Sequence, residues 1–210
     1  MNANIYKGAK GGDVCHDAFQ IHAGIEVADF VDAFLEARGL ETVVWSDETR
    51  LYWDEATLEL RLERMMVDVE GLGRAELSAR LANVPKSLFE DPENQGQMAL
   101  VVAQFVDASL TFKDAGLTKK GLAHIAEAQN IPENVFREAL VAQATQMTAP
   151  IQNAAFTQMV TEAASKFLDN PGELKVTLTP PNPVPLAQIL GSMAAPQTLP
   201  DLLAVKIVAN

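Results

Sequence analysis

From Glu41 onward, apolar and polar residues alternate with a period of two over long stretches, and that alternation predicts most of the fold. Residues 42–54 are rich in β-branched and aromatic types and read as a first strand. After a turn at Asp54-Glu55-Ala56, the residues Leu58, Leu60 and Leu62 alternate with Glu59, Arg61 and Glu63. The phase then slips at Glu63–Met65, and Met65, Val67 and Val69 resume the pattern. A slip of one residue would carry the apolar set to the other face, so a β-bulge is expected there. Gly71-Leu72-Gly73 reads as a turn, and Ala75, Leu77, Ala79 and Leu81 mark a third strand. These strands, joined by short turns, form an antiparallel meander.

Helical spacing governs the other stretches. Before the first strand, Ile25, Val27, Phe30, Val31, Phe34 and Leu35 predict an amphipathic helix that stops at Gly39. Residues 1–24, with Gly8, Gly11 and Gly12 close together, read as a flexible lead-in. Pro85 opens a short helical turn, Asp91 to Gly96 reads as a loop, and Val106, Ala108, Leu110 and Phe112 mark a fourth strand. Residues 117–168 then carry three helical stretches. The first spans Thr118 to Asn130, the second follows Pro132, and the third runs from about Gln152 to Leu168. Leu174, Val176 and Leu178 return to period two. The proline-rich stretch at 180–185 is stiff and extended. A short helix over Leu186–Met193 and a last strand over Leu203–Ala209 complete the chain. The fold class is therefore α+β: a twisted antiparallel sheet with a helical insertion at about 117–168 packed on one face. Residues 25–210 read as one domain.

The net charge of −12, from 16 basic and 28 acidic side chains, argues against nucleic-acid binding, because phosphates would be repelled. No apolar run reaches the length of a membrane span. The one cysteine, Cys15, allows no intramolecular disulfide.

Candidate chemistry is sparse. Asp13, Cys15, His16, Asp17 and His22 are metal-ligating types, but adjacent Cys15 and His16 converge poorly on one ion. Cys15 with His22 or His124 lacks an orienting third group for a nucleophile pair. The carboxylates at Asp47-Glu48 and Asp54-Glu55 sit where turns and solvent claim them. The sequence thus predicts no enzyme, no metal and no cofactor. What it offers is a supply of methionines suited to a pliable apolar groove between sheet and helices. Met65, Met66, Phe136, Phe156 and Met159 are the expected lining residues.

Residues 53–85 (WDEATLELRLERMMVDVEGLGRAELSARLANVP), 108–129 (ASLTFKDAGLTKKGLAHIAEAQ) and 167–209 together carry a family likeness. It is most specific at the Trp53-Asp54 turn, the Lys113–Leu117 junction and the Pro-Val-Pro stretch at 183–185. The chain resembles the C-terminal region of uncharacterised alphaproteobacterial envelope proteins, in the style of the YdgA-like and AsmA-like groups. The resemblance implies a periplasmic location, where composition alone leaves a cytoplasmic one as the alternative, and dealings with lipid or envelope partners; it implies no catalytic residues. The expected function is a non-enzymatic envelope domain that binds an apolar ligand or lipid in the sheet–helix groove. The alternative is a structural module that docks a protein partner through an edge strand or the proline-rich stretch.

Overall fold

The computed structural model describes residues 45–210 apart from 92, 94, 95 and 97–100. The expected lead-in at 1–24, the helix at 25–39 and the Cys15/His16/His22 group lie outside the described residues. Four long strands come first: β1 (Trp45–Asp54), β2 (Glu59–Val69), β3 (Gly73–Ala82) and β4 (Gln104–Asp114). A helical turn, α1 (Ser87–Glu90), follows β3. The insertion follows as α2 (Leu117–Ala128), α3 (Glu133–Met147) and α4 (Ala154–Asp169). Then come β5 (Glu173–Leu178), β6 (Val184–Pro185), α5 (Leu186–Ser192), α6 (Leu199–Leu202) and β7 (Val205–Ala209).

All the pairings are antiparallel, in the order β1-β2-β3-β4-β5-β7, and β6 pairs with the start of β4. β5 runs beside Ala108–Lys113 and β6 beside Gln104 and Phe105, so the two lie end to end along one strand. The proline-rich stretch is thus partly a strand. Leu186 N–H also donates to the Ala103 carbonyl, and Val184 is buried. The sequence pattern concealed this because a two-residue strand has no periodicity.

The expected bulge is present. Arg50 faces Arg64 and Leu51 faces Leu62, which leaves Glu63 as the extra residue on β2. A second bulge was not foreseen. Arg80 faces Asp107 and Leu81 faces Phe105, so Val106 is the extra residue on β4. Two further boundaries differ from expectation. Glu93 and Gly96, expected in a loop, are helical, as are Val101 and Val102. β7 begins at Val205, after Ala204 takes a left-handed φ of 47°.

Two of the pieces at which the family likeness is most specific, Trp53-Asp54 and Lys113–Leu117, lie at junctions. Asp54 Oδ1 accepts from the N–H groups of Ala56 (2.8 Å) and Thr57 (3.2 Å), closing the β1–β2 turn. Asp114 accepts from Gly116 N–H and Thr118 N–H and so caps α2 from beyond its first turn. The Leu72 carbonyl takes Ala115 N–H and Leu117 N–H, tying the β2–β3 turn to the same junction.

Within the insertion, α3 packs chiefly on α2 and α4, and α4 reaches β5 and β7. Asn153 caps α4 through its side chain, which accepts from Phe156 N–H at 2.9 Å. Paired threonine hydroxyls join α3 to α4: Thr145 to Thr161 at 2.7 Å, and buried Thr148 to Thr157 at 2.8 Å. Phe167 of α4 meets Phe112 of β4 edge-on, with ring centroids 6.0 Å apart. This contact fixes which face of the sheet the insertion covers.

Candidate functional site

The strand registers sort side chains onto two unlike faces. On one face Ser46, Glu48, Arg64, Arg74, Glu76, Arg80, Asp107, Thr111, Lys113 and Lys175 form a polar lattice. Glu48 pairs with Arg50 and Arg64, Glu76 with Arg64 and Arg74, and Arg80 with Asp107 and Glu59. The Arg61 hydrogen bond holds the Glu59 carboxyl below its ordinary value, against the opposing pull of partial burial. Solvated pairs of this kind are worth little individually. Together they make a charged surface. Of the acidic points read from the sequence, Glu48 belongs to this lattice and Asp54 and Glu55 to the β1–β2 turn, whereas Asp47 lies opposite Val67 on the other face.

The opposite face is apolar from β7 across to β2, and on β1 it also carries Asp47 opposite Val67 and Thr49 opposite Met65. One row runs through Ile207, Val176, Leu110, Leu77 and Met65, and a second through Ala209, Leu174, Phe112, Ala75 and Val67. Val205, Leu178, Ala108, Ala79, Leu62 and Leu51 make a third. α4 covers the β5–β7 side of this face. At the far corner Trp53 lies 5.1 Å from Phe89 of α1, and its indole donates to the Val84 carbonyl. Between these covers the floor is partly exposed: Leu51 is 51 %, Leu110 44 % and Val67 39 % exposed. Single exposed leucines are commonplace, but these three share one continuous face with Leu62, Met65 and Leu77.

The five residues expected to line one groove are not brought together. Met65 lies on the floor, but Met66 is on the polar face between Glu48 and Glu76, because neighbouring residues of a strand alternate sides. Met159 sits at the far edge, where its Sδ accepts the outward N–H of Ile207 at 3.2 Å. Three strands intervene between β2 and β7, which puts them about 19 Å apart. Phe136 and Phe156 lie half-buried within α3 and α4. Met147 and Met193 are surface residues. Leu51, Val67 and Leu110 were missed as a site, since alternation marks a core face without showing whether anything covers it.

Two shallow depressions lie elsewhere. One, of about 160 Å³, is ringed by Arg74, Glu76, Thr111 and Lys113 on the polar face. The other follows α4 past Thr161, Glu162, Ser165 and Asp169. Among the described residues no group of three or more His, Cys, Asp or Glu side chains is placed to hold a metal ion. Nor, among them, is any helix long and apolar enough to cross a membrane.

A family model described as "Uncharacterized protein" matches residues 66–210. The chain belongs to that family. The matched span runs from Met66 in β2 to the C-terminus and so takes in β3, β4, the helical insertion and the strands that follow it. No curated protein and no solved structure matches the chain.

Proposed function

We propose that the protein is a non-catalytic binding module of the cell envelope that takes an apolar ligand, such as a lipid acyl chain, on the open face of β1–β4. The observation that carries this reading is the shared, partly exposed face of Leu51, Val67 and Leu110. Covering what remains exposed of each would contribute about 1 kcal/mol. The floor is bounded by α4 on one side and by the Trp53–Phe89 corner on the other, which would hold a chain-like ligand along the strands. The resemblance to envelope proteins supports the periplasmic setting. It is independent of the geometry. Native mass spectrometry of the purified full-length chain tests the reading: a co-purifying lipid, lost on delipidation and regained on adding it back, supports it. A chain that neither carries nor regains lipid contradicts it.

A second reading, docking of a protein partner by strand addition, is favoured by the asymmetry of the sheet edges. β7 is short, and Met159 of α4 satisfies the outward N–H of Ile207. β1 is ten residues long and has one strand partner, β2, among the described residues. Amide exchange along β1 that slows only in the presence of a protein partner would favour this reading over lipid.

A further inference from the structure

β1 carries a sequence that is complementary to itself when reversed. Among the described residues it has one strand partner, β2, and the extra residue of their bulge lies on β2. β1 itself has no proline and no lysine, the side chains that commonly guard a sheet edge. Ser46, Asp47, Thr49, Arg50, Leu51 and Tyr52 are exposed along it.

Symmetry limits how two copies can join through this strand. Directly opposed side chains of an antiparallel pair point to the same side of the sheet, whereas neighbours along one strand point to opposite sides. A two-fold axis between two β1 strands therefore passes through a residue and its own copy, never between two residues. Axes at Glu48, Thr49, Arg50 and Leu51 give the longest overlaps within Trp45–Asp54. The Glu48 axis opposes two carboxylates, the Arg50 axis opposes two guanidiniums, and the Leu51 axis sets Glu48 against Asp54. Like charges directly opposite one another destabilise a sheet.

The Thr49 axis has no such clash. It sets Glu48 against Arg50 on both sides of the axis, Ser46 against Tyr52, and Asp47 against Leu51. Glu48 already pairs with Arg50 and Arg64 within one copy, so the axis joins two ion-pair clusters into one alternating network. It also carries the apolar face of each copy, with its exposed Leu51 and Val67, across to the other.

We infer that the chain forms a two-fold dimer by antiparallel pairing of β1 with β1 of a second copy, with Thr49 on the axis. The inference rests on the strand-addition reading and names its partner.

Disulfide trapping of the full-length chain in a Cys15→Ser background tests it. Thr49→Cys puts two thiols across the axis, at a Cα spacing of about 5 Å that a disulfide can span. In the control, Ser46→Cys, each thiol sits about 20 Å from its own copy along the strands. Under mild oxidation the expected result is a disulfide-linked dimer that forms on the order of tenfold faster for Thr49→Cys. Equal rates would overturn the inference. So would a wild-type chain that sediments as a monomer at every concentration up to about 1 mM. If Thr49→Cys fails to fold, an equimolar mixture of Glu48→Cys and Arg50→Cys chains makes the comparison. The mixed dimer is then expected to exceed the proportion that random pairing gives, and a random proportion overturns the inference. The two readings fail separately: a monomeric chain removes the second copy, while amide exchange along β1 still tests an unlike protein partner.

Discussion

Trp53 of β1 donates its indole N–H to the carbonyl of Val84 at 3.0 Å, across 31 residues of sequence. Val84 is 1 % exposed, so its carbonyl has little recourse to water. Trp53→Phe keeps the ring near Phe89 but withdraws the donor. It should cost about 1–3 kcal/mol, the penalty of a buried acceptor left unmet. Urea unfolding followed by circular dichroism measures this.

Asp114 acts at a branch point. Its carboxylate caps α2 through Thr118 N–H and Gly116 N–H, while its own N–H donates to the Gly172 carbonyl. Asp114→Ala removes the cap and leaves the backbone bond. A loss of about 1–2 kcal/mol is expected, with Asp114→Asn retaining much of it. Unfolding midpoints of the two variants provide the comparison.

Two glycines should respond with opposite signs. A Cβ at Gly73 would lie 2.8 Å from the Lys113 carbonyl oxygen, at a backbone φ of 157°. Gly73→Ala should therefore destabilise the sheet by more than about 1 kcal/mol. Gly121 lies inside α2, and a Cβ there meets nothing within 4 Å. Gly121→Ala should stabilise by about 0.5–1 kcal/mol. Thermal melts of the pair check both signs.

Glu59 supplies a small pH dependence. Its folded pKa is depressed, chiefly by the Arg61 hydrogen bond, so its contribution is present above the unfolded value. That contribution is lost as pH falls through the depressed value, below the ordinary carboxylate range. Glu59→Gln should flatten the acid limb of the stability curve slightly and leave it unchanged at neutral pH apart from a constant offset. Chemical denaturation across a pH series measures it.

Much of the sheet was legible because β2, β3 and β4 keep most of their apolar residues on one side. The slip at Glu63–Met65 announced its bulge for the same reason. The bulge at Val106 was silent: Phe105 and Val106 are both apolar, so an extra residue there breaks no alternation. β6 was hidden by its length and its proline. The site was the least legible part. Methionine content suggested a groove, but Met65 and Met66 fall on opposite faces, and Met159 closes the β7 edge. What marks Leu110 is the absence of a described neighbour above it, and that is a property of the tertiary arrangement alone.

Leu110 and Ser109 are consecutive on β4 and face opposite ways, opposite Leu77 and Ser78 of β3 respectively. Titration of the delipidated full-length chain with a fluorescent long-chain fatty acid therefore has a built-in control. Saturable binding is predicted for the wild-type chain, weakened about tenfold or more by Leu110→Asp and left intact by Ser109→Asp. Absence of saturable binding, or equal effects of the two substitutions, would contradict an apolar binding floor on β1–β4.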